Sequence, residues 1–228
     1  MSRCGGNNFL PPTEKIEKTL EVVYTSSINF AKEAYHLRNL LYKDFIVKQA
    51  SPSNSLQVMP SYFHFVKGQH HASDRLSLSE NYKLIQSAVC TLSMAGDSLT
   101  TDRIFTAIET STIILVLDSE MEMLIKKLPK FPMVNWKRLL VPVKLNYFKK
   151  SPMQTLINTC RTITNKGMIE LHEQMRQTQR QLSFVTNNNS VVFQNFMTEA
   201  YFVANPVNSE LLLHKDAVCK VNCSRLQK

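Results

Sequence analysis

Strands and helices alternate along the middle of the chain, and this alternation limits the possible folds more than any other feature. Residues 79–87 have the spacing of a short helix, 88–92 favour a strand, and 101–108 and 120–127 favour two further helices. Between the last two helices lies Ile113–Leu117, an all-apolar run of the kind that is buried on both faces of a parallel sheet. The pattern predicts an α/β fold, a doubly wound Rossmann-like parallel sheet with helices on both faces.

Further elements extend this pattern in both directions. Residues 20–24 predict a strand, the polar residues 25–27 are expected to cap a helix over about 28–45, and 62–66 favour a short strand. A strand at 139–143 is expected near a sheet edge, because Pro142 cannot donate to a ladder. Two helices, at about 153–163 and 166–184, close the regular part. The expected division is a flexible lead at 1–19, a lobe at 20–185 with its motif core at 80–145, and an extension at 186–228.

Composition excludes several classes of protein. The chain has 228 residues, 43% hydrophobic and 20% charged, which fits neither a disordered tail nor a multi-span membrane protein. Its five glycines do not form the glycine-rich loops of dinucleotide-binding or P-loop proteins. The net charge of +9 favours anionic partners. No nucleic-acid partner is expected, because the basic residues look dispersed and form no known reader motif.

The cysteines and histidines form no metal-binding pattern. Cys219 and Cys223 lack a second ligand pair, and the adjacent His70 and His71 have diverging side chains, so no metal site is expected. The five cysteines permit one or two disulfides with a thiol left over, and Cys219 with Cys223 is the first pair to test. The sequence has no signal-peptide core, and its longest aliphatic run is too short to cross a bilayer.

The loop at 95–103 has residues suited to binding an anion. It leads from a predicted strand into a predicted helix, which is where an open parallel sheet binds ligands. Gly96 allows the backbone to approach a ligand closely, and the guanidinium of Arg103 suits a phosphate. The helix that follows begins with free N–H groups and the positive end of its dipole. Hydroxyl donors are supplied by Ser98, Thr100 and Thr101.

The same loop also permits a purely structural interpretation. Ser98, Thr100 and Asp102 are residue types that cap helices, and Arg103 is then free to pair with a surface carboxylate. Spacing does not decide between the two interpretations.

Several motifs follow one another in order from residue 82 to residue 136. A strand with Cys90 precedes Gly96-Asp97-Ser98, and Arg103-Ile104-Phe105-Thr106-Ala107 comes next. The buried strand then ends at Asp118-Ser119, and Val134-Asn135-Trp136 completes the series. In order and spacing, over roughly residues 80–185, the chain resembles the C-terminal half of exostosin-type glycosyltransferases. Trp136 itself is interpreted as a core residue.

The resemblance implies one lobe of a two-lobed GT-B fold, the lobe that holds a nucleotide-sugar donor. The implied activity is transfer of a hexosyl or glycuronosyl group from a nucleotide-diphosphate sugar to a glycan acceptor, without a metal or other cofactor. The implied diphosphate-binding residues are Gly96, Asp97, Ser98, Thr100 and Arg103. These donors and this cation would stabilise charge on the departing diphosphate. No catalytic residue is assigned.

The sequence departs from the family pattern at several positions. Thr106 stands where the family has an acidic residue, and Glu109 could replace that residue only in part. Thr106, Glu109 and Asp118 are therefore candidates for a sugar or ribose contact. The family's Gly and Pro are absent from 110–115, and Asn135 replaces an aspartate. These departures favour an alternative function, an inactive exostosin-like lobe that acts as a binding or scaffold partner.

The resemblance also carries expectations about partners and location. The expected partners are a nucleotide sugar, a glycan acceptor, and either a partner glycosyltransferase or a missing acceptor-binding lobe. The family has such a lobe before the donor lobe, and residues 1–19 are too few to form it. A Golgi membrane location is implied, although the chain itself contains no predicted signal or transmembrane segment.

Overall fold

The computed structural model describes residues 17–50, 60–67, 76–96, 102–129, 134–163 and 165–182. In these ranges the strands are β1 Leu20–Ile28, β2 Tyr62–Lys67, β3 Ala88–Ser93, β4 Ile113–Leu117 and β5 Leu140–Val143. The helices there are α1 His36–Ala50, α2 Leu78–Ser87, α3 Asp102–Glu109, α4 Asp118–Lys127, α5 Trp136–Leu139, α6 Leu145–Lys150, α7 Pro152–Arg161 and α8 Asn165–Leu182. Residues 1–128 and 135–179 form one compact unit, and 129–134 with 180–228 form a second.

The five strands form one parallel sheet in the order β2-β1-β3-β4-β5. The predicted α/β, Rossmann-like class is thus confirmed, and so is the edge position of the strand that contains Pro142. Every residue of β4 is buried, as its apolar sequence predicts for a strand covered on both faces. Because parallel crossovers are right-handed, α2, α3 and α4 cover one face. On the other face α1 and α7 pack together, and α6 packs on α7.

The strand order reverses at β1, and this reversal creates a crevice. The chain leaves β1 toward β2 on one side and later returns to β3 on the other side. Open parallel sheets bind ligands at such a point, outside the carboxyl ends of the strands. The pairing of β1 with β3 extends only to Val23 and Thr91, so the two strands separate beyond these residues. The crevice therefore opens beside Thr25 and Ser93.

The first strand is longer than the sequence predicted. Residues 25–27, expected to cap a helix, continue β1, because β2 pairs with β1 as far as Ile28. The following helix begins only at His36, after a short 3-10 turn at Glu33–Tyr35. The helices α5 and α6 were not predicted, since segments of four and six residues are too short to show a periodic pattern.

A disulfide joins Cys90 in β3 to Cys160 in α7. Both residues are buried in the core between the sheet and the α1/α7 layer. The cysteine spacing did not predict this pair, which is 70 residues apart. The pair that it favoured, Cys219 with Cys223, lies outside the described residues. Trp136 is buried and its ring meets Phe105 edge-on at 6.4 Å, which confirms its interpretation as a core residue.

The described part of the predicted lead is bound to the amino edge of the sheet. The Lys18 ammonium donates to the carbonyls of Gln86 and Thr110 and to the Thr112 hydroxyl, at 2.9–3.0 Å. Burial lowers the pKa of Lys18 to about 8. The N–H of Thr19 donates to the Ser87 carbonyl. Among the described helices, none combines the length and apolarity needed to cross a membrane.

Candidate functional site

Arg103 lies in the crevice between β1 and β3. It belongs to the first turn of α3, and its guanidinium donates to the carbonyl of Thr25 in β1 and to that of Leu92 in β3. The guanidinium also lies over the Tyr24 ring, 5.1 Å from its centre. Arg103 thus joins the two strands where their own pairing has ended. This places a positive charge at the position where a doubly wound sheet binds its ligand.

A second guanidinium, that of Arg38, is buried at the same edge. Arg38 lies in the first turn of α1, with only 8% of its surface exposed. Its Nε donates to the Ala95 carbonyl at 2.8 Å, and its Nη2 donates to the Met94 carbonyl at 2.9 Å. The Tyr35 ring stacks on it, with 4.9 Å between the ring centre and Cζ. These contacts fix Arg38 against the end of β3.

Gly96 is adjacent to this buried arginine. A Cβ atom added at Gly96 would lie 2.5 Å from Cζ and 2.8 Å from Nη1 of Arg38, which is closer than atoms can pack. The space beside Gly96, which was expected to admit a ligand, holds the guanidinium of Arg38. Any larger residue at position 96 would have to displace it.

One carboxylate, that of Glu120 in α4, lies beside these cations. Its Oε2 accepts from the Ala95 N–H at 3.0 Å. Burial raises the pKa of Glu120, whereas the Ala95 N–H and the charge of Arg38 act in the opposite direction. Burial also lowers the pKa of Arg103; Tyr24 acts in the opposite direction, and the like charge of Arg38 lowers the pKa further. With two guanidiniums and one carboxylate, the site carries an excess of positive charge, and a bound anion would relieve the repulsion between the arginines.

Several buried polar atoms around the crevice have no hydrogen-bond partner within the structure. They are the Tyr24 hydroxyl, the Asn39 Oδ1, the Ser93 hydroxyl and the Nε of Arg103. Buried polar atoms of folded proteins are nearly always paired, so a group of exceptions requires an explanation. These four come from β1, α1, β3 and α3, all of which meet at the carboxyl edge. A polar ligand in the crevice would supply a partner for the Nε of Arg103, whose guanidinium lies there.

The predicted diphosphate-binding residues are only partly within the described ranges. Gly96 and Arg103 lie at the same edge of the sheet, whereas Asp97, Ser98 and Thr100 lie outside the described residues. The capping alternative for Ser98 and Thr100 therefore remains open. Under that alternative, Arg103 was expected to pair with a surface carboxylate. In the described contacts it donates instead to two backbone carbonyls.

The three candidates for a sugar or ribose contact are not brought together. Thr106 lies in the middle of α3, and its carbonyl accepts from the Thr110 N–H. Glu109 ends α3, about 9 Å along the helix from Arg103 and toward the amino edge of the sheet. Burial raises its pKa, and the pKa of Tyr82 is raised by burial and by the Glu109 charge. Glu109 is therefore poorly placed to replace the acid that the family has at Thr106.

Asp118 lies at the carboxyl edge, but it faces β5 and not the crevice. Its Oδ1 accepts from the Leu145 N–H at 3.1 Å, and its Oδ2 is 3.5 Å from the Lys144 ammonium. The acid next to Gly96 is Glu120, two residues later. Asn135, which stands where the family has an aspartate, accepts from the Arg138 N–H and caps α5.

Arg38 and Glu120 were not predicted from the sequence. Each lies in the first turn of the helix that follows a strand, as Arg103 does, so a search of all such turns would have found them. The sequence pattern could not distinguish these positions from the first turns of the other helices, because the strand order that brings β1 beside β3 is not visible in the sequence. The chain matches no family model and no curated protein. Among the described residues, no group of three or more His, Cys, Asp and Glu side chains could hold a metal ion.

Proposed function

We propose that this chain is an exostosin-like glycosyltransferase lobe that binds a nucleotide-diphosphate sugar at the β1/β3 crevice. In this proposal the lobe takes part in transfer of the glycosyl group to a glycan acceptor. The observation that carries the proposal is the pair of guanidiniums, Arg38 and Arg103, at the carboxyl ends of adjacent strands where the strand order reverses. A diphosphate carries charge on two neighbouring groups, which suits two neighbouring cations.

The chemistry of sugar transfer agrees with this arrangement. The bond between the anomeric carbon and the diphosphate breaks, and negative charge develops on the departing diphosphate. Fixed cations at that position stabilise the charge without reorganising. The acceptor hydroxyl forms the new glycosidic bond and gives its proton to a base, for which no residue of this chain is assigned.

The disulfide supports the cellular setting of the proposal. Disulfides persist in secretory compartments and are rare in the cytosol. The buried Cys90–Cys160 pair therefore favours an oxidising compartment such as the Golgi lumen.

A second candidate function is an inactive lobe that keeps the fold and serves as a partner for an active glycosyltransferase. It is favoured by Thr106 in place of an acid and by the distance of Glu109 from the crevice. Under this alternative the chain associates with a related enzyme whether or not a nucleotide is present.

Thermal unfolding in the presence of nucleotides tests the proposal. Uridine or guanosine diphosphate at a hundredfold excess over its Kd should raise the Tm by about 5 °C or more, and the monophosphate should raise it less. Arg103→Ala should abolish the shift, and Arg103→Lys should keep only part of it, because lysine lacks the forked donors. For each variant, the Tm with nucleotide is compared with the Tm without it. This is necessary because replacing Arg103 also removes its hydrogen bonds to Thr25 and Leu92, which contribute to the fold.

Arg138→Ala is the matched control, because Arg138 is an exposed arginine at the amino end of β5. It should leave the nucleotide shift unchanged. No shift with any nucleoside diphosphate in the wild-type protein would contradict the proposal. A shift that survives Arg103→Ala would place the nucleotide elsewhere.

A further inference from the structure

The carboxylate of Glu120 occupies a backbone donor at the edge of the β1/β3 crevice. Its Oε2 accepts from the N–H of Ala95 at 3.0 Å, and Ala95 is the second residue after the end of β3. In open parallel sheets, backbone N–H groups between a strand and the following helix commonly bind the phosphate groups of a ligand. A side chain of this protein therefore lies where an anion of the ligand is expected to bind.

The positive charge that acts on this carboxylate is that of Arg38. The Arg38 guanidinium donates to the Ala95 carbonyl at 2.8 Å, so Arg38 and Glu120 hold the same residue by its carbonyl and its N–H. Burial raises the pKa of Glu120, and the Ala95 N–H and the charge of Arg38 act to lower it. The carboxylate therefore offsets part of the positive charge that Arg38 brings to the crevice.

Few contacts hold this carboxylate in place. Glu120 is half-buried, and among the contacts of the described residues its carboxylate has one hydrogen bond, from Ala95, and no ion pair. A single hydrogen bond fixes a carboxylate less firmly than a bidentate pair with an arginine does. The effect of burial on its pKa also indicates that the negative charge is incompletely compensated. A ligand anion can therefore compete with this carboxylate for the Ala95 N–H.

The repulsion between Glu120 and a bound anion grows with the charge of that anion. Like charges within about 4–6 Å disfavour each other's ionised forms. The diphosphate of a nucleotide sugar carries about two negative charges, and a free nucleoside diphosphate carries nearly one more, because its terminal phosphate has a second pKa of about 6. Glu120 should therefore weaken the binding of the free diphosphate more than it weakens the binding of the nucleotide sugar.

We infer that Glu120 is a specificity-determining residue of the crevice, whose carboxylate competes with ligand anions for the Ala95 N–H and for the charge of Arg38. In the proposed reaction, this competition favours release of the nucleoside diphosphate that remains after the sugar has been transferred. That interpretation rests on the proposed function. The competition itself applies to any anion that reaches the end of β3.

Isothermal titration calorimetry with diphosphates of different charge tests the inference. The probes are inorganic pyrophosphate, uridine diphosphate, guanosine diphosphate, and the β-methyl esters of the two nucleotides, which have the charge of a nucleotide sugar. Glu120→Gln removes the negative charge, but its amide oxygen can still accept from Ala95. This variant should bind pyrophosphate and at least one nucleoside diphosphate at least fivefold more tightly than the wild type. The gain for the corresponding methyl ester should be at most half as large.

A second variant separates competition from a structural role. Glu120→Ala removes both the charge and the acceptor for the Ala95 N–H. If the carboxylate competes with the ligand, this variant should also bind pyrophosphate at least threefold more tightly than the wild type. If Glu120 only positions the loop, Glu120→Gln should bind as the wild type does and Glu120→Ala should bind more weakly. That second result would overturn the inference.

The matched control is Glu122→Gln, which removes an exposed carboxylate from the same helix. It should change each Kd less than twofold, because salt and water screen the charge of an exposed side chain. Equal gains in Glu120→Gln and Glu122→Gln would show a general effect of net charge and would contradict the inference.

The outcomes separate this inference from the proposed function. Tighter binding of pyrophosphate by Glu120→Gln, without binding of either nucleotide, would refute the proposed function and retain the competition. Binding of a nucleotide with the same Kd in the wild type and in Glu120→Gln would do the reverse. A larger gain for a methyl ester than for its free diphosphate would refute the role in product release. Binding of none of the probes by the wild type and both Glu120 variants would overturn both proposals.

Discussion

At the scale of single residues, the candidate site depends on Arg38 and on the absence of a side chain at Gly96. The guanidinium of Arg38 occupies the space that a Cβ at position 96 would need. Its position is fixed by the carbonyls of Met94 and Ala95 and by the Tyr35 ring. A larger residue at this position must therefore displace a buried, hydrogen-bonded guanidinium. No positive φ angle is found at any described glycine.

This dependence predicts a strong coupling between the two positions. Gly96→Ala should lower the free energy of unfolding by about 1–3 kcal/mol, because the added methyl group overpacks a buried site. In an Arg38→Ala background the same change should cost less than about 0.5 kcal/mol, since the obstructing guanidinium is gone. Urea unfolding of the four proteins in this double-mutant cycle measures the coupling. Additive effects would show that Arg38 does not occupy the space beside Gly96.

At the scale of secondary-structure elements, the disulfide joins the central strand β3 to α7 across 70 residues. It closes a long loop within the core, beside apolar residues of both elements. The first half of that loop contains α3 and β4, which position Arg103. The bond therefore constrains the part of the chain that forms the crevice.

Removing this bond should lower the stability of the whole unit. Cys90→Ala/Cys160→Ala should lower the free energy of unfolding by about 2–5 kcal/mol, as expected for a long loop. Urea unfolding gives this value, and Cys219→Ala/Cys223→Ala is the control for cysteine removal alone. Thiol titration of the denatured, unreduced wild-type protein should find at most three free thiols among the five cysteines. Five reactive thiols would show that the bond does not form.

The boundaries of the strands and helices also show which elements could be predicted from local sequence signals alone. The strands β3 and β4 and the helices around them were predicted to within two residues, because apolar runs and helical periodicity are local properties. The start of α1 was wrong, because Thr25–Ser27 have the composition of a helix cap. Their pairing with β2, some 40 residues later, overrides that local preference.

At the scale of the whole molecule, the sequence was sufficient to predict the class of fold but not to predict which residues form the site. Alternating elements predict a parallel sheet, yet the order β2-β1-β3-β4-β5 depends on pairing between distant segments. That order brings Arg38 from α1 and Glu120 from α4 to the end of β3, where Gly96 and Arg103 were already expected. Residues from three separate helices meet there, and no spacing rule within one segment could have joined them.

The fold also shows where part of the positive charge of the molecule lies. A net charge of +9 alone indicates only a general preference for anions. The structure places the guanidinium of Arg38, a buried residue, and that of Arg103, a half-buried one, together at the β1/β3 crevice. We propose that this crevice binds the nucleotide diphosphate.

The central claim is that the β1/β3 crevice holds the diphosphate of a nucleotide sugar. A crystal structure of the protein with uridine or guanosine diphosphate tests it most directly. Phosphate oxygens should lie within hydrogen-bond distance of the Arg103 or Arg38 guanidinium, at the carboxyl ends of β1 and β3. A nucleotide bound at another surface, or no bound nucleotide at saturating concentration, would contradict it.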